Sequence, residues 1–134
     1  MANSIWMNLP VKDLAASEAF FARIGFSVSS AGDKAKIVVG NENAVVMLFP
    51  EETLSRFTGS PIADTGQGIE VIISIGADSK EEVDEWAANV EQAGGTITSK
   101  PSYQEGWMYG FAFADLDGHR WNLLYMDMSK RPKA

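Results

Sequence analysis

The chain has 134 residues, a formal net charge of −7 at pH 7 and no cysteine, with 46% hydrophobic and 22% charged residues. That length suits one domain with a single buried core, and the acidity weighs against a nucleic-acid partner, which asks for a basic face. Without cysteine there is no disulfide framework, no thiolate zinc site and no cysteine nucleophile, and no apolar run reaches the roughly 20 residues of a membrane span.

The opening "MANSIWMNLPVKDL" lacks a basic region followed by an apolar core, so it does not read as a signal peptide, and the protein is expected in the cytoplasm. "SIWMNLPV" has the alternation of a strand. Asp13 then caps a helix in which Ser17, Phe20, Phe21 and Ile24 recur at i, i+3, i+4, i+7, and Gly25 stops it. "FSVSS", "KAKIVVG" and, after a turn, the end of "GNENAVVMLF" follow as strands. The linker "EETLSRFTGSPIADTGQG" holds a short helical turn at "EETLSRF". Its Gly-Gln-Gly precedes a strand instead of opening a helix, so it is not a phosphate cradle.

The second half repeats the plan. "IEVIISI" is a strand, and Ser79 and Glu82 form a capping box. Val83, Trp86, Ala87 and Val90 make the buried stripe of the helix, and Gly94 and Gly95 end it. "TITSKP", "WMYGFAFAD" and "DGHRWNLLYM" complete the half. The order β-α-β-β-β therefore appears twice, offset by about 65–70 residues, which points to a duplicated supersecondary unit. Residues 1–134 form one domain, with module one at about 1–55, a linker at about 56–67 and module two at about 68–128. The terminal "SKRPKA" is a solvated tail.

A doubled unit of this size, with V-x-D-L-x-x-S-x-x-F-F-x-x-I-G-F from Val11 to Phe26 and D-x-D-G from Asp115 to Gly118, resembles the vicinal-oxygen-chelate superfamily. Its members include glyoxalase I, extradiol dioxygenases, fosfomycin-modifying enzymes and the metal-free bleomycin-resistance proteins. The resemblance covers nearly the whole chain. It implies an α+β fold of two βαβββ modules whose mixed sheets form a curled, cup-shaped half-barrel around a ligand, and commonly a homodimer.

The enzymes of that superfamily hold a divalent ion with four side chains, one from each of four strands. Carried over by local motif, those positions fall on Trp6, Met47, Glu70 and Asn122. Only Glu70 is an ordinary ligand. An indole N–H donates only, a thioether is soft, and an amide is neutral, whereas hard divalent ions favour carboxylate and imidazole. A slip of one residue at Met47 or Glu70 restores no ligand. The resemblance thus implies neither metal nor cofactor for this chain, and no catalytic residue is assigned.

Strand alternation places Trp6, Asn8, Val45, Met47, Phe49, Glu70, Ile72, Ser74, Arg120, Asn122 and Leu124 on the ligand face. The opposite face is apolar and suits packing under the helices. From the first set, Trp6, Asn8, Met47, Phe49, Glu70, Arg120 and Asn122 are the candidate ligand-binding residues. A buried Glu70 would pair with Arg120, meet a cationic ligand or be partly protonated, and general-base catalysis is a further role open to it. His119, the lone histidine, falls on the face opposite Asn122 and is not a catalytic candidate. Tyr109, Phe111 and Phe113 read as core, with Tyr103 and Trp107 candidates for the mouth of the cup.

The leading expectation is a metal-free small-molecule binding protein of the bleomycin-resistance type, which would sequester a hydrophobic or planar ligand between Trp6, Phe49 and other aromatics. The alternative is a glyoxalase- or dioxygenase-like enzyme, a lyase or oxidoreductase. An empty dimeric scaffold is the third possibility.

Overall fold

The computed structural model describes residues 2–40 and 44–132. The turn ahead of Ala44 and the last two residues of the basic tail lie outside the described residues. The chain divides between Asp64 and Thr65 into two compact units. Each is α+β with one four-stranded mixed sheet, and each follows the βαβββ plan.

In the first unit, β1 (Met7–Val11) leads into α1 (Leu14–Ile24), then β2 (Ser27–Ser30), β3 (Ala35–Val39), β4 (Ala44–Pro50) and α2 (Glu51–Thr58). The sheet order is β1-β4-β3-β2. The β1–β4 pair is parallel, and the other two pairs are antiparallel. Asp13 caps α1 by accepting from the Ala16 amide at 3.0 Å. Gly25 closes the helix at φ 134°, a conformation that L side chains resist. Ser17, Phe20, Phe21 and Ile24 are buried, as their spacing requires. Leu9, Val11, Ala35, Ile37, Val46 and Leu48, on one face of the sheet, are buried too. Full burial of a Phe or Ile is worth about 1.5–3 kcal/mol, so this face holds the unit together.

The second unit runs β5 (Ile72–Gly76), α3 (Lys80–Gln92), β6 (Thr96–Gln104), β7 (Met108–Ala114) and β8 (Arg120–Met126), in sheet order β5-β8-β7-β6. A 3₁₀ turn follows at Met128–Lys130. Ser79 caps α3 through the Glu82 amide at 3.1 Å. The return arm of the box reaches one residue further than the motif predicts, because the Glu82 carboxylate accepts from Asp78 N–H at 2.8 Å. Val83, Ala87 and Val90 are buried, as are Tyr109, Phe111, Phe113, Trp121 and Leu123 of the sheet. Phe111 and Phe113 stack at 5.4 Å, and Phe113 lies nearly parallel to Trp121 at 6.2 Å.

Two strands start later than alternation alone predicts. Ladder pairing begins at Met7 against Val46 and at Ile72 against Arg120, which leaves Trp6 and Glu70 ahead of their strands. β6 instead runs past the expected "TITSKP", tolerating Pro101 because it is an edge strand whose register shifts between Ile97 and Ser102. None of the described helices is long and apolar enough to cross a membrane.

Candidate functional site

The face of the second sheet turned away from the buried aromatics carries a cavity of about 330 Å³. Its β7 and β8 walls are Met108, Gly110, Ala112, Asn122 and Leu124, and its rim is Ser99, Gln104 and Glu105, with Phe111 beneath. The hollow exists because β7 alternates large with small. Tyr109, Phe111 and Phe113 fill the core, while Gly110 and Ala112 face the other way. Gly110 pairs with Leu124, and Ala112 with Asn122. A Cβ on Gly110 would overlap the Leu124 methyl and the Leu123 carbonyl.

Of the candidate residues, Asn122 lines this cavity. Its Oδ1 is buried without a hydrogen-bond partner, as is Nε of Arg120 on the same face of β8. Glu70 is exposed, and among the described residues it makes no ion pair with Arg120. The expectation of a buried carboxylate therefore fails: Glu70 precedes β5, where no ladder holds it against the sheet.

The other candidates sit on the first sheet. Asn8 is exposed, while Met47 and Phe49 are half-buried. Asn8 stands beside Met47, and Phe49 beside Pro10. Trp6 lies ahead of β1 and is 57% exposed. The register puts Trp6 and Phe49 toward opposite ends of the β1–β4 pair, so within this unit they do not sandwich one planar ring. Phe49 has a different aromatic partner, Phe57 of α2, edge-on at 5.2 Å.

Tyr103 is not at the cavity. It pairs with Tyr109 on the helix side of β6–β7 and lies under Lys80 of α3, whose Nζ is 5.2 Å from its ring. Trp107 is half-buried with the Arg131 guanidinium 5.5 Å from its ring. Tyr109 donates a 2.6 Å hydrogen bond to Asp84 of α3, and that bond, with burial and the nearby charge, raises the phenol to about 12.

The Asp115–Gly118 turn is a structural device. Asp115 accepts from the Asp117 and His119 amides, each at 3.0 Å, and from the Trp121 indole at 2.9 Å. Burial pushes its carboxyl up, opposed by the His119 charge and by these donors. Gly118, at φ 84°, leaves room for Thr65, whose hydroxyl donates to the Asp117 carbonyl at 2.7 Å.

A model of the Glyoxalase/Bleomycin resistance protein/Dioxygenase superfamily matches residues 4–123. The chain belongs to that superfamily. The hypothetical protein SA1046 from S. aureus is 32% identical, with a TM-score of 0.85, over 93% of this chain and 94% of that one. TnmS3, an antibiotic binding protein from Streptomyces sp. CB03234, is 16% identical with a TM-score of 0.66, over 94% and 97%. A lactoylglutathione lyase from Agrobacterium tumefaciens is 20% identical with a TM-score of 0.66, over 96% of each. These last two share the fold alone. A search of curated proteins finds no match.

The metal of the superfamily's enzymes does not fit the residues present here. The four carried-over positions hold an exposed indole, a thioether, an exposed carboxylate and an amide. Among the described residues no three His, Cys, Asp or Glu side chains gather. One carboxylate and one amide oxygen make a weak set for a hard divalent ion.

The cavity-forming Gly110 and Ala112 are absent from the candidates drawn from sequence. Their signal was available, since an aromatic core face at 109, 111 and 113 leaves small residues on the other side.

Proposed function

We propose that the chain is a small-molecule binding protein of the bleomycin-resistance type, which holds a hydrophobic or planar ligand without a metal and without turnover. The observation that carries this reading is the cavity of about 330 Å³ on the second sheet, with an amide at Asn122 where the superfamily's enzymes commonly carry a glutamate. That volume lies at the small end of the range for ligand sites, about 300–1,000 Å³. Met108, Gly110 and Leu124 give an apolar wall, and Asn122 with the rim residues Ser99, Gln104 and Glu105 gives a few polar points, the usual composition of such a site. The enzyme reading asks more of Glu70 than an exposed carboxylate ahead of its strand offers. Trp6, Asn8, Met47, Phe49, Glu70, Arg120 and Asn122 remain the proposed ligand contacts. A cytoplasmic homodimer is the proposed working form.

Native mass spectrometry with elemental analysis, after incubation with Mn²⁺, Fe²⁺, Ni²⁺ and Zn²⁺, tests this directly. A metal-free dimer is expected, and any co-purified mass identifies the ligand. One ion per subunit, lost in Glu70→Ala, would overturn the reading in favour of the enzyme.

A further inference from the structure

We infer that the open face of the first sheet binds the anionic group of a planar aromatic ligand, with Lys36 supplying the positive charge; this rests on the small-molecule reading above and names its ligand class. Three pairings define the site. Asn8 stands beside Met47, Met47 opposite Lys36, and Lys36 opposite Ser29. The four side chains therefore form one row across all four strands, with neighbouring strands about 4.8 Å apart. Their flanking residues Leu9, Leu48, Val46, Ala35 and Ile37 are buried on the other face, which fixes the row on the open one.

The row is unlike its counterpart. In the second sheet the equivalent pairings are Ser74 beside Asn122, Asn122 opposite Ala112, and Ala112 opposite Ser99. No charge stands in that row, so the βαβββ plan itself does not call for a lysine. Lys36 is half-buried, and among the described residues its side chain makes no hydrogen bond or ion pair. Among the described residues the side chains of Asn8 and Ser29 likewise have no hydrogen-bond partner. Lys34, two residues earlier, is a second half-buried cation that makes no ion pair among the described residues. Arg56 of the same unit is paired with Glu52.

Lysine is a poor choice for an interior strand on propensity. A bound anion gives its ammonium a charge-assisted hydrogen bond. The aromatic part of the ligand follows from Phe49. It lies on the same face of β4 two residues from Met47, and Phe57 meets it edge-on at 82°. A ring laid on Phe49 brings an attached acidic group toward Lys36.

The test uses two fluorescent probes with the same rings, 8-anilinonaphthalene-1-sulfonate and its uncharged parent N-phenyl-1-naphthylamine. The wild-type chain is expected to bind the sulfonate about tenfold more tightly than the parent, the size of one hydrogen bond to a charge. Lys36→Met should abolish that preference and leave parent affinity unchanged. Lys36→Arg should keep it. Thermal unfolding of each variant checks that the fold is intact. Equal binding of both probes by wild type, or a preference that survives Lys36→Met, overturns the inference and leaves the small-molecule reading standing. Binding of neither probe overturns both.

Discussion

Met47 and Asn122 occupy the same register in the two halves of the chain: Met47 stands between Asn8 and Lys36, and Asn122 between Ser74 and Ala112. Each is at the centre of the open face of its sheet, so each decides what that face can hold. A thioether beside an ammonium suits an apolar body with an acidic end. An amide beside a methyl group leaves a small hollow. The duplicated scaffold thus presents two chemically different surfaces from one plan.

The hollow depends on Gly110. Gly110→Ala places a methyl group into the Leu124 side chain and the Leu123 carbonyl. The carbonyl is backbone and cannot swing aside, so the variant is expected to lose about 1–3 kcal/mol, as overpacked sites do. Urea unfolding measures that loss. An unchanged unfolding midpoint would show that β7 and β8 separate there at no cost.

Asp115 holds the loop before β8 through three donors. Asp115→Asn keeps the shape but offers a single acceptor oxygen, leaving at least one buried donor unpaired, at a cost of about 1–3 kcal/mol. The sign of the pH dependence follows from the raised carboxyl. The folded state holds this proton more tightly than the unfolded chain does. Its stabilising contribution is therefore full below the ordinary carboxylate range and is lost as pH rises through the folded value. The stability gap between wild type and Asp115→Asn should be widest in acid and narrow on raising the pH. A gap that widens instead would reverse the assignment.

Most of the fold was legible because burial and alternation carry the same information. Ser17, Phe20, Phe21 and Ile24 announce α1 by spacing, and Val83, Ala87 and Val90 announce α3. Outward positions such as Val11, Ile75, Trp121 and Leu123 are buried, as parity requires. The site was less legible because parity gives a face and not an extent. It put Trp6 and Glu70 on strands that begin one and two residues later, and it said nothing of where a hollow forms. Cavities come from what is missing, here the side chain of Gly110, and a search for chemically active residues passes over glycine. Tyr103 was misplaced because nearness to a loop does not reveal which side of a hairpin a ring occupies; its register partner Tyr109 does.

The Tyr109–Asp84 bond joins α3 to the sheet and delays ionisation of the phenol to about 12, through the hydrogen bond first, then burial and the Asp84 charge. The folded state keeps this proton longer than the unfolded chain, whose tyrosines ionise near the ordinary value of about 10. The bond's contribution is thus complete below about pH 10 and disappears as pH rises through about 12. Ultraviolet titration of wild type should show one late tyrosinate phase, absent in Tyr109→Phe. Asp84→Asn should bring that phase to lower pH. A wild-type titration with no late phase would mean that Asp84 does not hold the hydroxyl in solution.

Glu105 has φ 54° and Gly106 has φ 78° in the turn between β6 and β7, closed by Trp107 N–H donating to the Gln104 carbonyl at 3.3 Å. Positive φ at both central positions is the pattern of a type I′ turn, which favours Asn-Gly over Glu-Gly. Glutamate gains nothing there from its backbone, yet its side chain sits on the cavity rim. Glu105→Asn should therefore stabilise the chain by about 0.5–1 kcal/mol, the usual scale for relieving such a residue. Urea unfolding reads the gain. A variant less stable than wild type would mean that the glutamate makes a favourable contact at the rim, and that its backbone conformation is maintained by it.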